Sequence, residues 1–133
     1  MDLVEICGPA EAAWTHARLT EYNSAFITDY DEWAWCVRDA AGAPCAGLVA
    51  TRDLDCLTID YLFVEEAQRG RGYGAALLHR AEAAARLRRV KRIVCNTFSF
   101  QAPRFYEARG YRLFAKLDPC LGPHGQYFFI KEL

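Results

Sequence analysis

Two hydrophobic periods alternate along the chain, and their order predicts mixed α and β structure. In "GPAEAAWTHARLTEYNSAF" a proline stands near the start and apolar residues follow at Ala13, Ala17, Leu19 and Tyr22, which predicts a helix from Pro9 to Tyr22. "EWAWCVR" switches to a period of two, with Trp33, Trp35 and Val37 on one face of a strand. The turn "DAAGAP" and a second strand, "CAGLVAT", complete a hairpin over residues 32 to 51. "CLTIDYLFV" is a third strand, apolar on both faces toward its end, as a strand inside a sheet is.

Helical spacing returns from Tyr73 to about Arg88, followed by the strand "KRIVCNTF". A short helix is expected from Gln101 to Ala108, with Ser99 as its N-cap and Gly110 ending it. "YRLFAKL" and "GQYFFIKEL" form the last two strands, with "PCLGPHGQ" as the loop between them. The expected order is β-α-β-β-β-α-β-α-β-β, which counts one strand ahead of the first helix. A strand–helix–strand passage in its middle implies a right-handed parallel crossover.

Composition narrows the function classes. A length of 133 residues suits one domain with a real core. Hydrophobic and charged fractions of 53% and 25% are those of an ordinary soluble globular protein. A net charge of -1 offers no overall basic surface for nucleic acid or anionic membrane, so neither is expected as a partner. No apolar run approaches the roughly 20 residues of a membrane span, and "MDLVEICGPAEA" is acidic where a secretory leader is basic. Cysteines at 7, 36, 45, 56, 95 and 120 include no CxxC pair, and no His stands at zinc-site spacing. They are expected to be reduced thiols of a cytoplasmic protein with no bound metal.

One stretch breaks the ordinary pattern. "EEAQRGRGYGAALLHRAE" sets Gly70, Gly72 and Gly74 between a central strand and a helix. Glycine there exposes the main chain, and a helix N-terminus has unpaired N–H groups and a dipole that favour an anion. The alternative is glycine for close strand–helix packing. A P-loop is excluded because GxxxxGK[ST] is missing. Gly70, Gly72 and Ala75 loosely fit GxGxx(G/A), but "RIVCNTF" ends without the acidic residue that holds a ribose.

"RGRGYG", Arg69 to Gly74, is similar to the R/Q-x-x-G-x-G/A signature of the GNAT N-acetyltransferase superfamily, in the same strand–loop–helix setting. "SFQAPRFYEARGY" resembles that superfamily's N-x-x-A-x-x-F-Y-x-x-x-G-F/Y segment, with Ala102, Phe105, Tyr106, Gly110 and Tyr111 at matching positions and Ser99 in place of Asn. The resemblance covers residues 32 to 133 and is closest to short bacterial members. It implies a single α/β domain with a mixed central sheet of about six to seven strands, flanking helices, and two central strands splayed into an acetyl-CoA cleft. It also implies acetyl transfer from acetyl-CoA to a primary amine. Carried over by position, backbone amides of Arg69, Gly70, Arg71, Gly72, Tyr73, Gly74 and Ala75 hold the CoA pyrophosphate. Leu62, Phe63 and Val64 pair with pantetheine as an added strand, and Ser99 or Gln101 supplies the usual Asn contact.

Such a transfer needs few groups. The thioester carbonyl oxygen needs a donor, for which the Val64 N–H is a candidate. The departing thiolate needs an acid, and Tyr106 is the family match, with a packed helix aromatic as its bland alternative. Phe105 and Tyr106 point about 100° apart on a helix, so Phe105 is expected to face the sheet and Tyr106 the splayed strands. The amine needs a base, and Asp60, flanked by apolar strand residues, is the first candidate because burial raises a carboxyl pKa. His124 or a water chain is the alternative, and Glu65 and Glu66 read as solvated loop charges.

Trp33, within the acidic and aromatic "ITDYDEWAW", and His124 are the candidate acceptor contacts; ordinary core aromatics beside a solvated turn are the plainer reading. "RLRRVKR" concentrates cations at a helix C-terminus, where they complement the dipole. A non-catalytic acyl-CoA-binding module of the same fold is the competing function. Exposed strand edges leave both a monomer and a homodimer open.

Overall fold

Trp33, Trp35 and Val37 do alternate on a strand, β1 (Tyr30–Arg38), which pairs antiparallel with β2 (Pro44–Asp53) in the expected hairpin. The computed structural model, which describes residues 3–133, continues with β3 (Cys56–Val64), β4 (Arg92–Phe98), β5 (Arg112–Leu121) and β6 (His124–Glu132). These form one sheet of six strands in the order β1-β2-β3-β4-β6-β5. Its helices are α1 (Pro9–Asn23), α2 (Tyr73–Leu87) and α3 (Pro103–Glu107). This is the mixed α/β architecture expected, except that no strand precedes α1 among the described residues. None of the helices described is long and apolar enough to cross a membrane.

The 3.6-residue period of α2 buries Leu77, Leu78, Ala81, Glu82 and Ala85. Ala81 and Ala85 are fully buried, and their small side chains let α2 sit close on the sheet face that presents Leu48, Ala50, Leu57, Ile93 and Phe129. Glu82 enters this core with its charge met. Its Oε2 accepts from the Tyr111 hydroxyl at 3.0 Å and from Lys131 Nζ at 2.8 Å, tying α2 to β6. Arg52 is the other buried charge, 2% exposed. It donates to Asp31 at 2.7 Å, to Asp29 at 2.8 Å and to the Leu54 carbonyl at 2.7 Å. The guanidinium holds the Asp29 carboxyl below its ordinary range. The acidic turn is therefore the anchor of β1, and Trp33 and Trp35 pack against the core instead of walling a mouth.

Two boundaries moved for identifiable reasons. α3 begins at Pro103, because a residue before proline is turned away from helical dihedrals; Ala102 has φ -140 and ψ 59. Ser99 consequently caps no helix. Its Oγ accepts from the Gly125 N–H at 3.0 Å, clipping the end of β4 to the start of β6. The expected loop before Gly125 is mostly strand, since β5 runs to Leu121 and β6 begins at His124. Pro119 reads as a breaker but is tolerated because β5 lies at the sheet edge.

Candidate active site

β3 and β4 are the one parallel pair, and they stay paired only from Cys56–Thr58 against Arg92–Val94. Beyond that β3 holds to β2 and β4 to β6, so the strands diverge around a cavity of about 870 Å³. Two sequence features drive the opening. On β3, Val49 pairs with Tyr61 and Ala50 with Ile59, which leaves Asp60 unpaired on a bulge. On the far side, α3 inserts Phe105 and Tyr106 into the gap.

The free edge of β3 can be phased. The Glu65 N–H donates to the Cys45 carbonyl at 2.9 Å, so its backbone faces β2. Alternation then turns the N–H groups of Val64 and Leu62 toward the cavity and that of Phe63 toward β2. All three residues line the cavity. Arg69 Nε donates to the Val64 carbonyl at 3.0 Å, fixing the loop to the end of the strand.

The three glycines do different jobs. Gly70 and Gly72 have φ of +78 and +84, a left-handed conformation that side chains resist, with open space in front of them. Gly72 is the residue before α2, and the first helical bond runs from the Ala76 N–H to its carbonyl at 3.0 Å. The N–H groups of Tyr73, Gly74 and Ala75 therefore lack helical partners, and no side chain caps them. They open on the cavity. Gly74 is helical; a Cβ there meets Phe105 Cε1 at 3.4 Å and Val64 Cγ2 at 3.7 Å. So the loop exposes its main chain at Gly70 and Gly72 and packs closely at Gly74. Arg71 lies outside the lining.

Tyr106 is 6% exposed, with its ring stacked on Phe129 at 5.8 Å and edge-on to Tyr111 at 5.6 Å. The expectation that Phe105 faces the sheet is thus reversed. Tyr106 takes the inner position against β6, and Phe105 stands at the start of α2 under the Arg109 guanidinium, 4.0 Å above its ring. Cys95 on β4 lies in the same buried cluster as Tyr106. Burial first, then the Cys95 thiol, raises the phenol above its ordinary pKa, and burial pushes Cys95 up to about 12. Both stay protonated and neutral at pH 7.

Asp60 lines the cavity but is exposed, its Oδ2 accepting from the Thr51 hydroxyl at 2.7 Å. The burial on which its selection as a base rested is not there: alternation from the buried Leu57 and Ile59 already puts Asp60 on the outer face, and the bulge brings Tyr61 to that face as well. Gln101 is in the lining, with its Oε1 accepting from the Phe98 N–H at 2.7 Å and from Thr97 at 3.1 Å. Ser99, Trp33 and His124 are not in the lining. His124 reaches it only through Phe100, ring centroids 4.9 Å apart. Sequence reading missed Asn96, Thr97, Phe100 and Arg109, all of which line the cavity. Arg109 alone had a usable signal, its position four residues after Phe105 on a helix.

A cavity with free strand and helix amides along one side and a phenol in its floor fits an extended ligand that ends in an anion. Comparison with known proteins gives that fit a family. A family model described as "Acetyltransferase (GNAT) domain" matches residues 31–113. A blasticidin-S acetyltransferase of Streptomyces morookaense is 36% identical over 97 residues, 69% of this chain and 68% of that protein. The 1.9 Å crystal structure of an acetyltransferase from Bacillus cereus ATCC 14579 is 33% identical and superposes with a TM-score of 0.86, covering 100% of this chain and 99% of that one. A Bacillus anthracis structure in complex with acetyl coenzyme A shares the fold at 14% identity and a TM-score of 0.69, covering 83% of this chain and 67% of that one. The chain belongs to the GNAT acetyltransferase family.

Proposed function

We propose that the protein transfers the acetyl group of acetyl-CoA to a primary amine by direct attack on the thioester. The observation that carries this reading is the cleft itself, with free amides at the start of α2, a free β3 edge and a protonated phenol around one cavity. Acetyl-CoA supplies an acyl group already activated as a thioester. The amides of Tyr73, Gly74 and Ala75, in the loop running from Arg69 through Gly70, Arg71 and Gly72, hold the pyrophosphate. The cleft edge at Leu62 and Val64 pairs with the pantetheine amides, and the Gln101 carboxamide supports the far side. The Val64 N–H donates to the carbonyl oxygen as charge develops there. Tyr106 donates to the departing sulfur.

On the opposite face of the sheet Asp60 and Phe100 border the same cavity, and this is the acceptor side. An exposed carboxylate there attracts a cationic amine, while the amine's proton leaves to water. Asp60→Asn is accordingly expected to raise the acceptor KM about threefold to tenfold, an exposed-charge effect of roughly 1 kcal/mol that salt weakens. Steady-state kinetics across pH check this. A fall in kcat concentrated at low pH, with KM unchanged, returns Asp60 to the role of base.

The six free cysteines fit a reducing cytoplasm. Acetyl-CoA with an amine panel (blasticidin-S, a polyamine, amino acids and a lysine peptide), read by free thiol release, tests the function. Turnover on at least one amine is expected. Tight acetyl-CoA binding with no turnover on any of them favours the non-catalytic acyl-CoA-binding module.

A further inference from the structure

We propose that α1 packs on a second copy of this chain, in the open groove across β1–β3, so that the protein is a reciprocal homodimer. α1 has 15 residues and none is buried. Helices of about 12–15 residues are marginal in water unless packed, so α1 needs a cover. Trp14, Arg18 and Tyr22 recur every four residues along one face, and Phe26 extends the row, its ring tilted against Tyr22 with centroids 5.8 Å apart. Trp14 is 65% exposed, Tyr22 68% and Phe26 65%.

The same chain carries a matching vacancy. α2 packs on one sheet face, and on the other a groove of about 370 Å³ runs between Cys36, Gly47, Val49, Tyr61 and Phe63, with Glu65 at its end. Tyr61 is 74% exposed and Phe63 56%. A sheet face so apolar is ordinarily covered. The helix is about 22 Å long and a nine-residue strand about 30 Å, so α1 fits along the groove.

Within its own chain α1 stands away from the groove, with no residue buried, and the junction is held on both sides. The Phe26 and Ile27 amides bond to the Asn23 carbonyl at 2.9 and 2.8 Å, the Leu54 N–H bonds to the Asp29 carbonyl at 3.0 Å, and Arg52 grips the Asp29 side chain. A two-fold pair satisfies both needs twice. Two such helix-on-sheet contacts bury on the order of 1,500–2,000 Å² in total, which is the range of stable dimers.

Sedimentation equilibrium of the full chain, without acetyl-CoA, reads this independently of the proposed activity. A dimer is expected for the wild type. Trp14→Asp, on the helix, and Val49→Asp, in the groove, should each give a folded monomer. An equimolar mixture of the two variants should recover a heterodimer, since one intact helix-and-groove pair remains. A monomeric wild type overturns the proposal, and so does a dimer that survives both variants. If a variant is misfolded by circular dichroism, the milder Tyr22→Ser and Val49→Thr take its place under the same criteria.

Discussion

Tyr106→Phe is expected to lower kcat about tenfold to a hundredfold while acetyl-CoA binding and stability barely change. The substitution removes one oxygen and leaves the ring on Phe129 and Tyr111. Positioned acid catalysis is worth about 10²–10⁴-fold in general, and two observations place this case at or below its lower end. Burial raises the phenol's pKa, whereas a free thiol sits near 8.5. The group therefore steadies the departing thiolate with a hydrogen bond more than it surrenders its proton. The neighbouring Cys95 thiol is neutral, so no charge is orphaned by the change. Steady-state kinetics under conditions where chemistry limits the rate should show kcat and kcat/KM falling together, the mark of an interaction made in the transition state. A variant with wild-type kcat reduces Tyr106 to a core aromatic.

Gly72→Val is expected to weaken acetyl-CoA binding by about 10²–10³-fold. Gly72 has φ +84, where a β-branched residue is a true outlier and strain runs to about 1–3 kcal/mol. Nothing lies within 4 Å of the added Cβ, so the backbone, not a clash, decides the outcome. Relief of that strain turns the loop and swings the amides of Tyr73, Gly74 and Ala75 off their target. A hydrogen bond to a charged group contributes about 1.5–3 kcal/mol, so misaligning one or two accounts for the loss. Gly74→Ala is the internal control. Gly74 is helical and its new methyl only touches Phe105 at 3.4 Å, so binding should change little. Calorimetric titration checks both, with thermal unfolding to confirm that the fold persists. Undiminished binding in Gly72→Val removes the cradle from the start of α2.

Spacing along the chain was enough to place the three helices and six strands described, though it added a strand ahead of α1 and misplaced some ends, because buried faces impose a period that survives in the residues themselves. The left-handed turn was also legible, since glycines at Gly70 and Gly72 answer a backbone demand that few other residues meet. Tyr106 was legible through family resemblance alone; its spacing is equally that of a packed aromatic. Asp60 misled because apolar neighbours in sequence do not bury a strand residue: it alternates outward from Leu57 and Ile59, and the bulge that puts Tyr61 on the same face leaves no mark in the hydrophobic pattern. The Arg52 clamp on Asp29 and Asp31 spans more than twenty residues of chain, so no local pattern announces it. A helical period likewise shows which face of α1 is apolar, not what covers it.

On the proposed reading, a grip made of main-chain amides is specified by the shape of a turn, whereas Asp60 and Phe100 on the acceptor side act through side chains alone. The two halves of the cleft are thus free to drift independently. Replacing the outer residues would then retune the chain for another amine without disturbing the left-handed turn at Gly70 and Gly72. New acceptors would lie within reach of point substitution on one face of a sheet.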